Sequence, residues 1–174
     1  MRRALFSALG VLAVALLLGP APAARAAAPA WRSWDAGLRE AGATRRPLLV
    51  DVYTDWCGWC KRMDREVYSR ADVQDYLSRK FVVVKLNAES DDAARFQGRT
   101  FTSRSLAAYF GVSGYPTTVF LDAKGAPLGN LPGYAPPDNF LMLLRFIGDG
   151  HAARGEKYED FVRDAKSGAA GARR

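Results

Sequence analysis

Apolar positions along this chain recur with two periods, and the switches between them mark the elements. Trp31, Trp34 and Leu38 fall at helical spacing and predict an amphipathic helix over residues 32–43. Leu48–Tyr53 is a short apolar run with β-branched and aromatic residues, which predicts a buried strand broken by one charge, Asp51. A helix is expected to open at Cys57-Gly58-Trp59-Cys60 and continue through Met63 and Val67. Ser69 is expected to cap a further helix holding Val73, Tyr76 and Leu77. Residues 81–86 read as a second buried strand, whereas residues 91–98 are polar and carry no clear period. Ser103 is expected to cap a short helix carrying Leu106, Ala107 and Phe110 that stops at Gly111.

The run Thr117–Leu121 predicts a third strand. Asp122-Ala123-Lys124-Gly125 is a hairpin turn signal, and residues 127–133 return as an edge strand, where a starting proline is tolerated. Asp138 is expected to cap a helix over residues 139–147. Tyr158, Phe161, Val162 and Ala165 give a last helix one docking face, with a loose tail from Ser167. Alternating helices and strands followed by a hairpin predict an α/β fold: a mixed sheet of about four strands, helices on both faces, and an extra C-terminal helix.

Composition adds a compartment. Arg2 and Arg3 precede an apolar run over residues 4–18, too short for a comfortable membrane span of about 20 residues. Ala24-Arg25-Ala26 then offers a cleavage pattern, so residues 1–26 read as a secretory signal and residues 27–150 as one domain, with a C-terminal helix and flexible tail over 151–174. The alternative is an uncleaved amino-terminal anchor. Removing Arg2, Arg3 and Arg25 leaves 22 basic against 18 acidic residues, a net +4 that is interspersed rather than clustered. Such a surface argues against a nucleic-acid partner. The expected product is a soluble, monomeric periplasmic protein.

The chain has two cysteines, three positions apart. In an oxidising compartment a lone close pair reads as a reactive disulfide, because it closes too short a loop to constrain the unfolded chain much. A sulfur at the mouth of a helix meets free N–H groups and the positive end of the dipole, which favour thiolate. Cys57 is therefore expected to be the exposed nucleophile and Cys60 the buried resolving thiol. No other cofactor is called for. A metal site is weakly supported, since two cysteines and His151, in a polar link, do not complete a four-ligand zinc site without carboxylates.

The segment Asp51-Val52-Tyr53-Thr54-Asp55-Trp56-Cys57-Gly58-Trp59-Cys60-Lys61 resembles the active-site segment of thioredoxins. It is closer still to the carboxy-terminal thioredoxin domain of DsbD-type interchange proteins. The resemblance covers residues 47–147 and rests on four features in order: Trp56 with the cysteine pair, Asp51, Lys85-Leu86-Asn87, and Gly114-Tyr115-Pro116-Thr117. It implies a thioredoxin fold and thiol–disulfide exchange. Asp51 would move a proton to and from the resolving thiol, a role that a burial-raised pKa suits. Lys85 would lie near that carboxylate, with a lysine snorkelling from a strand as the alternative. Pro116 would be a cis-proline opposite the cysteines, and Gly133 would line the same groove. Trp56, Gly58, Trp59, Tyr115 and Pro116 would contact substrate, while Trp59 also reads as a plain surface aromatic; Asp64, one turn past Cys60, matches an acid of the DsbD-type domain but reads more readily as a solvated helix charge.

Two departures from the family pattern bear on redox direction and on partner choice. The residues between the cysteines are Gly58-Trp59, without a histidine to stabilise the thiolate, which argues against a strongly oxidising couple. Together with it, the resemblance to the DsbD-type segment implies a reductase that passes electrons from a membrane donor to protein disulfides. The segment between Asn87 and Tyr109 is longer than a minimal thioredoxin requires. The rival readings are a disulfide oxidase or isomerase, and a copper or haem-maturation chaperone using both thiols as ligands.

Overall fold

A computed structural model describes residues 29–171, so the expected signal, residues 1–26, lies outside the described residues. A four-stranded mixed sheet forms the centre, in the order β2 (Val82–Asn87), β1 (Leu48–Tyr53), β5 (Thr117–Leu121), β6 (Pro127–Pro132). β1 runs parallel to β2 and antiparallel to β5, and β6 is the antiparallel edge. Side chains alternate across the pleat. Leu48, Val50 and Val52 enter a core under α1 (Trp34–Thr44) and α4 (Ser103–Tyr109). Leu49 faces the opposite core, built with α2 (Gly58–Met63), α3 (Ala71–Lys80) and α5 (Pro137–Gly148). Asp51 shares the phase of Leu49, which sends its carboxylate under α2. The expected thioredoxin fold, a four-stranded mixed sheet with helices on both faces, is what the chain adopts.

α1 begins at Trp34, two residues later than expected, and three expected helix caps are displaced, each for a local reason. A single π-helical turn, Asp64–Tyr68, prolongs α2. Ser69 therefore ends that element, donating its hydroxyl to the Arg65 carbonyl at 2.5 Å, and Arg70 is the N-cap of α3 instead. Thr102 rather than Ser103 caps α4, in a reciprocal capping box with Ser105. α5 starts at Pro137, a residue whose missing N–H costs nothing in a first turn, and Asp138 binds the Arg70 guanidinium at 2.6 Å rather than capping.

The polar stretch without a period holds a hairpin. β3 (Ala93–Phe96) and β4 (Arg99–Thr102) pair antiparallel around Gln97 and Gly98, whose φ values of 49° and 75° belong to a primed turn. Ala94 and Phe96 point into the core while Ala93 and Arg95 face solvent. α1 clasps this hairpin: the Trp34 indole N–H donates to the Arg95 carbonyl at 2.9 Å, and Asp35 accepts the Arg95 N–H at 2.9 Å. At the other end of the chain, α6 (Tyr158–Gly171) docks Phe161 on Phe146 as its spacing predicts. It does not loosen at Ser167. That hydroxyl donates to the Asp164 carbonyl, and the helix continues through small residues to Gly171. His151 is half-buried between Phe146 and Phe161, with Nδ1 at 2.7 Å from Glu156, rather than a free surface residue.

Candidate active site

β1 delivers the chain to a tight turn, Thr54-Asp55-Trp56, closed by the Cys57 N–H donating to the Thr54 carbonyl at 3.2 Å. Cys57 is the N-cap of α2, in extended backbone (φ −66°, ψ 105°). Its Sγ accepts the Cys60 N–H at 3.0 Å, so the sulfur occupies the place of a capping oxygen at the positive end of the helix. One turn spans both sulfurs, the Cα atoms are 5.3 Å apart, and Cys57 and Cys60 are joined as a disulfide.

The expected contrast in exposure is not present: Cys57 and Cys60 are each 4% exposed. In the oxidised pair the Cys57 sulfur is turned inward, onto Cys60 Sγ and the Cys60 N–H, instead of outward. What distinguishes the two is hydrogen bonding, because only Cys57 Sγ caps the helix.

Solvent-facing aromatics frame this closed pair. Trp56 is 66% exposed and Trp59 54% exposed. The Trp56 indole N–H donates to Glu89 Oε1 at 2.9 Å, and the ring stands edge-on to Tyr115 at 6.1 Å. Trp59 leans on Tyr134, with ring centroids 5.6 Å apart. Val52 pairs with Thr117, so Pro116 enters the sheet beside the end of β1, where the cysteine turn begins. The Tyr115–Pro116 peptide bond is cis. The Pro116 carbonyl accepts the Gly133 N–H at 2.8 Å, which ties the loop to the end of β6.

On β1, Asp51 is 1% exposed and lies opposite Lys85 in the β1–β2 register. Lys85 Nζ donates to Asp51 Oδ2 at 2.5 Å and to Asp64 Oδ1 at 2.7 Å. Asp51 Oδ1 has no hydrogen-bond partner among the described residues. Burial pushes the Asp51 carboxyl above the ordinary carboxylate range despite the attraction of Lys85. Burial also works against the Lys85 ammonium, but Asp51 and Asp64 together outweigh it and hold its pKa above the usual lysine value. Trp31, Tyr53 and Tyr68 surround that ammonium, their ring centroids 4.8, 5.2 and 5.5 Å away.

The structure joins Cys57 to Cys60 and Asp51 to Lys85, and Lys85 also binds Asp64, one turn beyond Cys60. Gly58 follows Cys57 at the start of α2, Trp56 stands against Tyr115, Trp59 against Tyr134, and Pro116 enters the sheet beside the end of β1. Sequence reasoning singles out Asp64 but favours a solvated charge, whereas Asp64 binds Lys85; the aromatic enclosure is not foreseen. Asp64 sits one turn beyond Cys60 and Lys85 lies opposite Asp51, so the spacing held a signal for the first. Nothing local signalled the second, because Trp31 and Tyr68 arrive from separate elements.

A family model described as a thioredoxin-like domain matches residues 34–148. The chain is 34% identical over 113 residues to the thiol:disulfide interchange protein DsbD of Ralstonia nicotianae, an alignment covering 64% of this chain and 17% of that protein. It therefore spans a minor part of the length of that relative. Among solved structures, a thioredoxin-fold protein from Helicobacter pylori superposes with a TM-score of 0.63 at 25% identity, covering 71% of this chain and 82% of that one. A thioredoxin from Thermus thermophilus gives a TM-score of 0.61 at 28% identity, covering 75% and 95% respectively.

Proposed function

This chain belongs to the thioredoxin-like domain family and is a thiol:disulfide oxidoreductase with a Cys57–Cys60 redox pair, and from that premise we propose that it is exported and reduces disulfides in periplasmic proteins. The observation that carries the direction lies at Cys57 Sγ. It accepts the Cys60 N–H, and among the described residues no side chain donates to it. Trp59, the residue before Cys60, points to solvent instead. A thiolate with so few donors is less stabilised than that of a strong oxidant, and the couple is correspondingly more reducing.

In the reduced protein the Cys57 thiolate attacks a substrate disulfide. One S–S bond breaks, a mixed disulfide forms, and the first substrate thiol leaves. Cys60 then loses its proton toward Asp51 and attacks Cys57 Sγ, releasing the second substrate thiol. Two electrons have passed to the substrate, and the protein is left as the Cys57–Cys60 disulfide. A dithiol donor at the membrane restores it by the reverse exchange. Asp51 suits the proton step because burial raises its pKa, and Lys85 holds the carboxylate in place. Trp56, Gly58, Trp59, Tyr115 and Pro116 receive the substrate chain around the pair.

The test is the reduction potential measured against glutathione. A value near that of thioredoxin, about −270 mV, is expected, whereas one near that of DsbA, about −120 mV, would replace the reductase by an oxidase. Export and domain limits are tested by mass spectrometry of the protein recovered from the periplasm. Cleavage near Ala27, leaving a domain over residues 27–150 and a C-terminal extension, is expected. An intact amino terminus would make the first segment an anchor.

A further inference from the structure

We propose that the cleft beside the disulfide, lined by Gly58, Trp59, Arg62 and Arg65, seats an acidic side chain of the substrate polypeptide close to its target cysteine. The inference rests on the oxidoreductase reading and adds the chemistry of the substrate to it. The cleft is a shallow depression of about 260 Å³, open to solvent along most of its face. Gly58 and Arg62 share one face of the helix at a spacing of four, Arg65 lines the same cleft from the π-helical turn, and Gly58 leaves its floor open, since a Cβ there would meet nothing within 4 Å.

The two arginines differ. Arg62 is already engaged: its Nε donates to both Glu66 oxygens at 3.0 and 2.9 Å, and its guanidinium lies 4.9 Å from the Tyr134 ring centroid. Tyr134 donates its hydroxyl to the same carboxylate at 2.8 Å. Arg62 is thereby held against Trp59, at 5.2 Å. The Arg65 side chain makes no hydrogen bond or ion pair among the described residues and is exposed. A guanidinium with free donors beside an open aromatic face recognises a planar carboxylate well.

The other flank of the disulfide is acidic on balance, with Asp55, Glu89 and Asp91 against the guanidinium of Arg104, which donates to the Glu89 carbonyl at 2.8 Å. Glu89 holds the Trp56 indole at 2.9 Å, and Asp55 accepts from the Asn87 amide at 3.3 Å. An acidic side chain is therefore drawn to one side of the sulfurs and repelled from the other. The reach is set by geometry. At about 1.5 Å per residue, Arg62 and Arg65 lie roughly 8 and 12 Å along the axis from Cys57. An extended peptide covers that span in about two to four residues. The fitting substrate carries Asp or Glu about three positions from its cysteine, on one side only.

Three peptides test this, each with one cysteine in a mixed disulfide with uncharged 2-mercaptoethanol. One has Glu three residues before the cysteine, one has Glu three residues after it, and one has Ala at both positions. The reduced protein is expected to reduce one Glu peptide about two- to fivefold faster than the Ala peptide, the worth of one exposed ion pair. The other Glu peptide should gain nothing. The gain should vanish in 1 M salt, and Arg65→Glu should turn it into a deficit relative to the Ala peptide. Equal acceleration of both Glu peptides, which general attraction to a basic protein would give, overturns the proposal. So does a gain that survives Arg65→Glu. Failure to reduce even the Ala peptide would instead overturn the oxidoreductase reading beneath it.

Discussion

At the scale of single residues, Cys57 owes its chemistry to position rather than exposure. It caps α2 through Sγ, and in the reduced protein the same N–H and helix dipole favour its thiolate. Iodoacetamide at neutral pH is expected to alkylate Cys57 before Cys60, as read by peptide mass mapping; the reverse order would exchange their roles. Asp51 makes a second prediction. Its folded pKa lies above the ordinary 3.8 because burial disfavours the carboxylate. The folded state then holds that proton more tightly than the unfolded chain. Stability is therefore reduced at every pH above the folded pKa and recovers as pH falls through it toward 3.8. Lys85 keeps Asp64 as a partner at 2.7 Å when Asp51 is neutral. Asp51→Asn should thus stabilise the protein to urea at pH 7, because it removes a carboxylate that burial disfavours while leaving Lys85 its ion pair with Asp64. The gain should shrink toward pH 4, while release of the mixed disulfide slows. A loss of stability at pH 7 would show Lys85 to be stranded without Asp51. The pair Asp51 and Lys85 was legible because strand position and motif both marked it. Asp64, Trp31 and Tyr68 were less so, because a helical charge and scattered aromatics look the same in sequence whether they face water or a buried ammonium.

At the scale of elements, two glycines of α1 separate local propensity from packing. Alanine is the better helix former by about 1 kcal/mol. At Gly42 a Cβ would meet nothing nearer than the Ala123 carbonyl at 3.8 Å, so Gly42→Ala should raise stability by up to about 1 kcal/mol. At Gly37 a Cβ would fall 2.2 Å from Val84 Cγ2, on a β-branched side chain held in the buried strand β2. The helix must lift from the sheet, and Gly37→Ala should cost about 1–3 kcal/mol. Urea denaturation of the two variants checks both signs, and a stable Gly37→Ala protein would mean that α1 does not approach β2 so closely. Propensity explains why strands β1 and β5 were read at their observed limits and why the β3–β4 hairpin was not. Leu48–Tyr53 and Thr117–Leu121 are buried on both faces and so nearly continuous in apolar residues. The hairpin buries only Ala94 and Phe96, which gives too short an alternation to stand out among polar neighbours. The caps failed for a related reason: Ser69, Ser103 and Asp138 are all good caps in isolation, and only the π-turn, Thr102 and Pro137 decide which residue takes that place.

For the whole molecule, the question is whether α6 belongs to the catalytic unit. The cysteine pair, Asp51, Lys85 and the Pro116 loop come from β1, α2, β2 and the entry to β5, and the family match ends at residue 148, before α6 begins. α6 rests on α5 instead, through Phe161 and Tyr158 against Phe146, at centroid distances of 5.5 and 5.3 Å. Together with β6 it walls a groove of about 830 Å³ that reaches Tyr134. Ending the chain at Gly155 uncovers Phe146, which is 7% exposed in the full protein. Tyr158 and Phe161 are half-buried, and at about 1.5–3 kcal/mol for a fully buried side chain their loss should cost about 2 kcal/mol in total. The shortened protein is expected to unfold at lower urea, yet to reduce the neutral peptide within about twofold of the full-length rate below its transition. If instead turnover dropped tenfold while the protein remained folded, the site would depend on α6, and the groove beside Tyr134 would be the route by which α6 acts on Trp59 and the disulfide.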